Sequence, residues 1–583
     1  MRSIYTWLTR KKPNTHHKTK LLDFLLVESP NLVAASILLG IVAGLAYTFL
    51  IPLVTQAIEF RNTSGLNPVN ENDVVIFDYE VNKPKYALTF FSLCVFILIA
   101  RTASMVLLQK VANSATKRLR ISIYSRITQL PIQDLERIGS SRLYATIVND
   151  VPFLVSGASA LPGILIGVST IFGMLGFLVY LNFDVFVFII FTIIFGIVTY
   201  RIPLFFGNRH FQQVRNRFDN IQAGIQGLVS GAKELKLNQT KKSEFLHDAL
   251  IEHEESYRKH SDKGALLVIG AMSYGNLIAF FAIGISTFIL SNRYAIAPET
   301  LVSIVMAMLY ITGPLGAIIM SISPIVRGNI ALKNLNKILD EMPIETKGER
   351  ATTSDFDEIK LRNIELSYHN NAFALGPVDL TLRRGEINFI VGGNGSGKST
   401  LAKILTLHYV PNKGQVTFGD EVVTDENRDY YRQHISAIYS DYHLFPKLYD
   451  VSQHDLDNKV PEYLNKLKLS DKVSIEDAGF STLSLSDGQK RRLALLVMYL
   501  EKRDVYLFDE WAADQDPEFR AVFYEQILPE LKAAGKFVLV ISHDDRYFNY
   551  ADNIIHMADG KPQTNKPDER VSHASEDKQA TLA

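Results

Sequence analysis

Six stretches of mainly apolar residues interrupt the first 330 positions, at roughly 31–58, 87–110, 153–181, 183–206, 264–290 and 299–326. Each is long enough to cross a hydrocarbon core about 30 Å thick as a helix. The third and fourth are almost continuous. Asn182 and Asp184 offer the tight turn between them, so the pair is expected to form a hairpin. Two polar segments, after the second and fourth stretches, run roughly 40 and 55 residues, far beyond an ordinary loop. In the second, Phe218, Ile221, Ile225 and Leu228 recur at steps of three and four, which predicts a helix. Both segments are therefore expected to be helices continuing out of the membrane, each ending in a turn able to touch another domain. From about residue 355 the pattern changes, and short apolar runs alternate with helical ones as in an α/β domain. The predicted organisation is an N-terminal segment at 1–30, a six-helix unit at 31–335, a linker at 336–354, an α/β domain at 355–561 and a polar, disordered tail at 562–583.

Charge sharpens this division. Basic and acidic residues number 61 each, so the net charge is zero. The zero is a cancellation: residues 1–350 carry a balance of +10 and residues 351–583 one of −10. A neutral total excludes a strongly basic nucleic-acid binder, so no nucleic-acid partner is expected. The first 20 residues hold Arg2, Arg10, Lys11, Lys12, Lys18 and Lys20 and no acidic residue, which favours a cytoplasmic N-terminus. Six spans then return the C-terminus to the same side. The only cysteine, Cys94, lies in an apolar run and makes no disulfide framework.

Three polar residues stand out in the spans. Arg101 reads either as a functional residue or, about 15 residues into an inward-running helix, as a snorkelling side chain near the inner interface. The second is the simpler reading. Asn276 and Tyr310 are candidates to line a polar cavity, or simply to join helices.

The α/β half carries the chemistry. Gly392, Gly393, Asn394, Gly395, Ser396, Gly397, Lys398, Ser399 and Thr400 follow an apolar strand and precede a helical run, the context of a phosphate-binding P-loop. Glycines let backbone N–H groups turn inward around phosphate oxygens, and the helix N-terminus adds a favourable dipole. Lys398 supplies charge for the β- and γ-phosphates, and Ser399 a hydroxyl for Mg²⁺. A later apolar strand ends in Asp509, placed to deliver a carboxylate to Mg²⁺, with Glu510 next to it as a candidate base. Between these, Ser486 can cap a helix and Gly488 admits close backbone approach.

In this order the pieces resemble an ATP-binding-cassette ATPase. Leu485 to Gln489 is similar to the family signature, with Asp487 where glycine is usual. The resemblance makes Glu510 the catalytic glutamate, His543 the switch histidine at the γ-phosphate and Tyr368 the aromatic that stacks on adenine. The family usually has a Mg²⁺-binding glutamine where this chain has Ser440. Asp441 or a bridging water is the candidate replacement, and the metal set is Ser399, Asp509 and Asp441. Six spans followed by one cassette resemble an exporter-type half-transporter. The segments 509–517, 231–238 and 541–548 resemble the bacterial cyclic-peptide and siderophore exporters of microcin, syringomycin and pyoverdine type.

The resemblance implies a membrane all-α six-helix transmembrane domain fused to an α/β P-loop ATPase domain, with ATP and Mg²⁺ as cofactors. It implies export of a peptide-like or siderophore-like molecule across the bacterial inner membrane by a homodimer. Each ATP site would join the P-loop set of one chain with Ser486, Gly488 and Gln489 of the other. A sister subunit in place of a second copy, a lipid or drug exporter, an exporter-fold siderophore importer and a membrane-tethered ATPase that moves nothing remain as alternatives.

Overall fold

The structure is a computed structural model and describes residues 20–59, 74–76, 79–81, 84–345, 355–367 and 373–563. The chain forms two compact units. One comprises Met1–Tyr124 and Ser141–Asp340, the other Ser125–Ser140 and Glu341–Ala583. Tyr368 and the tail from 564 onward lie outside the described residues, as does the side chain of Asn276.

The first unit is helical. Six segments are long and apolar enough to cross a membrane: Pro30–Gln56, Pro84–Thr128, Arg142–Leu181, Phe183–Ser230, Gln239–Arg293 and Pro298–Asp340. Five of them contain a predicted span whole, and the first ends at Gln56, two residues short of the expected 58. Helices Pro84–Thr128 and Phe183–Ser230 have 45 and 48 residues. At about 1.5 Å per residue they are roughly 70 Å long, more than twice a hydrocarbon core. Leu88, Phe91, Leu98 and Ile99 are exposed along the first of these, the surface expected of a helix bathed in lipid.

Small residues set the packing. A side chain at Gly157 would meet the Pro324 carbonyl oxygen at 2.9 Å and the Gly328 Cα at 3.2 Å. That brings helices Val151–Leu181 and Pro298–Asp340 into backbone contact, the usual way membrane helices gain dispersion energy. The hairpin turn is tighter than the sequence suggested. Asn182 alone separates helices Val151–Leu181 and Phe183–Ser230; its amide N–H donates to the Leu178 carbonyl at 3.0 Å, and its side chain accepts from the Val185 N–H at 3.0 Å. Asp184 falls in the first turn of the second helix, where it favours the positive end of the dipole.

Two boundaries differ from expectation. Residues 21–28 form a helix whose Leu21, Phe24 and Leu25 are buried, and the Leu21 N–H donates to Asn329 Oδ1 at 2.9 Å. Three apolar residues on one face drive that short helix into the bundle, so the helical unit begins before residue 30. The six-helix unit is also not contiguous over 31–335, because Ser125–Ser140 packs with the cassette. In that segment Ile132 joins an apolar cluster containing Leu401, Leu405 and Tyr431. Glu136 accepts from Lys403 Nζ at 2.7 Å and from the Tyr409 hydroxyl. The Gln129 carbonyl accepts from the Glu345 N–H at 2.8 Å, and Arg432 clamps the Glu345 carboxylate at 3.0 and 3.1 Å.

The cassette has two sheets. In the larger, the strands lie in the order Lys561–Gln563, Asn553–Ala558, Ile387–Val391, Phe537–Ile541, Val505–Asp509, Ile435–Ile438. All pairs are parallel except the terminal hairpin, which extends the domain to Gln563 rather than 561. Its central strands are buried at every position, as strands covered on both faces must be. A four-stranded antiparallel sheet, Ala374–Arg383, Glu358–Ser367, Lys413–Phe418 and Glu421–Val422, closes one apolar core against it. A second core, around Trp511, Phe519 and Phe523, fills the other side.

Candidate functional site

Four neighbouring parallel strands end at one edge of the large sheet, and each delivers a candidate residue there. Ile387–Val391 leads into the glycine loop, Phe537–Ile541 into His543, Val505–Asp509 into Glu510, and Ile435–Ile438 into Ser440 and Asp441.

The loop is shaped by its glycines. Gly392, Gly395 and Gly397 have φ of 148°, 81° and 100°. A Cβ at Gly392 would sit 2.2 Å from the Met557 carbonyl oxygen, so no other residue fits there. Nothing lies within 4 Å of where a Cβ would stand at Gly393 or Gly395, so the mouth of the loop is open. Asn394 and Ser399 are exposed, while Ser396, Lys398 and Thr400 are buried. Lys398 opens helix Lys398–Leu405, and its Nζ donates to the Gly392 and Gly393 carbonyls at 2.8 and 3.0 Å. Ser396 Oγ is buried without a hydrogen-bond partner. An open cradle of backbone turns, a lysine at its floor and an orphaned hydroxyl fit a polyphosphate.

The acidic side is equally defined. Asp509 is 3% exposed. Burial pushes its carboxyl above the usual range, and the charges of Glu510 and Asp441 push it further. The backbone N–H and hydroxyl of Ser440 both donate to it and pull the other way. Three acidic residues, Asp509, Glu510 and Asp441, lie close enough to act on one another, a set short of positive charge that fits a hard divalent cation such as Mg²⁺. Glu510 has φ of 51°, a left-handed backbone rare for this residue. Its N–H donates to the Ile541 carbonyl at 3.1 Å, and its own carbonyl accepts from Arg491. His543 Nε2 lies 3.1 Å from Glu510 Oε1.

The signature segment forms a separate face. Ser486 and Gln489 close a capping box on helix Asp487–Glu501, with the Gln489 N–H 3.4 Å from Ser486 Oγ and the Ser486 N–H 3.1 Å from Gln489 Oε1. A Cβ at Gly488 would lie 2.8 Å from the Asp514 carbonyl. Ser486, Asp487, Gly488, Gln489, Arg492, Asp514 and Asp516 line an open depression. Among the described residues no hydrogen bond joins Ser486, Gly488 or Gln489 to the glycine loop.

Sequence reasoning missed three supports. Arg491 is buried, pins the Glu510 carbonyl and pairs with Asp514 at 2.7 Å. Gln515 donates to the Gly488 carbonyl at 3.1 Å. Ser440 holds Asp509. Only Arg491 left a signal, as the first of two arginines entering the apolar run of a helix.

Residues 375–513 match the ABC transporter domain family. The chain belongs to the ABC transporter family: it is a multi-pass membrane protein of exporter type, and its cassette binds ATP and hydrolyses it. It is 34% identical to the ATP-binding protein SyrD of Pseudomonas syringae pv. syringae, over 91% of this chain and 94% of that one. It is 24% identical to an ATP-dependent lipid A-core flippase of Aliivibrio fischeri, over 77% and 80% of the two chains. A bacterial Atm1-family ABC exporter with ATP bound shares the fold, with a TM-score of 0.68 and 16% identity over 92% of this chain and 95% of that one.

Proposed function

We propose that two identical copies of this chain export a peptide-like or siderophore-like molecule across the bacterial inner membrane, with both termini in the cytoplasm. The observation that carries the reading is the separation of two half-sites. The glycine loop and acidic edge lie on one face of the cassette, and the signature residues line a depression of their own. A twofold pair sets each face against the other and completes two sites at once.

In each site Gly392, Gly393, Asn394, Gly395, Ser396, Gly397 and Thr400 surround the phosphates, and Lys398 exchanges its carbonyl partners for phosphate oxygens. Tyr368 stacks on the adenine. Ser486, Gly488 and Gln489 close the site from the partner chain. Ser399, Asp509 and Asp441 hold Mg²⁺, with Ser440 orienting Asp509. When bound, that ion neutralises charge on the phosphates. Glu510 takes the proton of the attacking water, and His543 steadies its carboxylate from 3.1 Å. ATP drives transport only by favouring the closed pair over the open one.

Inside-out vesicles test this. A fluorescent cyclic lipopeptide is expected to accumulate in the presence of ATP with the wild-type protein and not with Lys398→Ala. Accumulation only in right-side-out vesicles would replace export with import. A lipid-moving reading draws on the flippase relative; it wins if a fluorescent lipid A analogue is moved and the lipopeptide is not.

A further inference from the structure

The Arg101 side chain does not turn back toward the level of Pro30, the end of the neighbouring helix that lies nearer to it. Ser36 Oγ donates to the Ser104 carbonyl and Ser104 Oγ to the Ser36 carbonyl, both at 2.7 Å, which fixes helices Pro30–Thr48 and Pro84–Thr128 at the same level there. Ser36 is about 9 Å along its helix from Pro30, and the Arg101 Cα stands one turn beyond, about 13 Å from that end. The guanidinium reaches further still: its Nη1 donates to the Tyr47 hydroxyl at 3.1 Å. Tyr47 lies about 25 Å from the Pro30 end, and helical side chains lean toward their own N-termini. Because the two helices run antiparallel, these side chains lean toward each other. They meet near the middle of the span, and Arg101 points away from the closer edge.

The surroundings are polar, aromatic and free of acid. The Tyr47 ring lies 5.8 Å from that of Tyr310 on helix Pro298–Asp340. The only acidic residues in the six predicted spans are Asp184 and Glu299, each in the first turn of its helix. A second copy of the chain brings the same six spans, so it adds no carboxylate. Arg101 is exposed, with a neutral phenol as its hydrogen-bond partner among the described residues. A cation at mid-membrane without a counter-ion is costly. The reciprocal serine bonds, with Gly40 letting Ser104 approach a Cβ position to 3.0 Å, hold the two helices rigidly one turn away. That is the support a preformed site needs.

We infer that Arg101, with Tyr47 and Tyr310 beside it, is the cargo-binding subsite for an anionic group, a carboxylate or a phosphate. The inference rests on the export reading, and the cargo itself would supply the missing counter-charge.

The test uses the full chain in nanodiscs and a dansyl-labelled acyl hexapeptide with either a free C-terminal carboxylate or its amide. The wild type is expected to bind the acid about tenfold more tightly than the amide. Arg101→Gln should erase that preference, Arg101→Lys keep part of it, and Tyr47→Phe reduce it a few-fold; an unchanged unfolding midpoint certifies each variant. Equal binding of acid and amide by the wild type, or a preference that survives Arg101→Gln, overturns the subsite while leaving peptide cargo standing. If neither peptide binds, the peptide reading fails instead, and phosphatidylglycerol against phosphatidylcholine nanodiscs decides the subsite. Stimulation of ATPase activity by phosphatidylglycerol that Arg101→Gln abolishes supports it with a lipid anion, and no such dependence overturns it.

Discussion

Two turns project from the long helices, and they differ in one respect. The first, Ser125–Ser140, is finished within a single chain: Ile132 joins an apolar cluster and Glu136 accepts from Lys403 and Tyr409. The second, helix Ala232–Leu237, buries Leu235 to 6% exposure yet leaves Leu237 at 89%. An apolar side chain that open, in a turn whose neighbour is tucked in, lacks an outer wall. One turn is covered within its own chain and the other leaves an apolar side chain open, an asymmetry that the proposed pairing of two chains would resolve.

The largest effect should come from trapping the pair closed. In a Cys94→Ala background, Glu510→Gln is expected to slow ATP hydrolysis at least a hundredfold, the scale of losing a general base. With ATP bound, maleimide labelling of Leu237→Cys should fall about tenfold, whereas Ile132→Cys should stay poorly reactive with or without ATP. Labelling of Leu237→Cys that ignores ATP would break the comparison.

A smaller effect concerns the finished joint. His408 Nδ1 sits 2.8 Å from Thr406 Oγ1 and 3.0 Å from the Tyr439 hydroxyl. Burial pushes its pKa down to about 4, helped by Arg432 and Lys403 and opposed by Glu345 and Glu136. The unfolded chain therefore takes up this proton first, near pH 6.5. The stability that His408 contributes is complete above that pH and is lost as pH falls toward 4, by up to about 3 kcal/mol. His408→Gln should flatten this window in denaturant titrations followed by Trp511 fluorescence in a Trp7→Phe background. The smallest effect is Glu136→Gln, which removes a half-exposed ion pair with Lys403 and should cost about 1 kcal/mol or less in the same titration.

Much of this was legible beforehand because its signals are local. Apolar length alone marked six spans, and the glycine loop announced itself through residue types that a phosphate cradle needs side by side. The misses share a cause: they depend on neighbours distant in sequence. The helix at 21–28 is held by Asn329, some 300 positions away. The segment 125–140 belongs to a connection that reads as polar and basic, and its place with the cassette rests on Lys403, Tyr409 and Glu345. Ser440 looked like a lost metal ligand because it was judged by reach; in the fold it donates to Asp509 instead. Arg101 shows a related limit: counting residues gives its depth but not the direction of its side chain, which the Tyr47 contact supplies.

The one-residue turn at Asn182 also sets a mechanical limit. With the amide bonded to the preceding helix and the side chain to the following one, the joint has no slack to absorb a change of angle. Any change of angle between the two helices is then passed to their far ends, as in calipers. On the 48-residue arm, about 72 Å long, one degree at the pivot moves the tip by about 1.3 Å. A change too slight to notice beside Asn182 becomes a full atomic displacement at Ser230, next to the turn that carries Leu237.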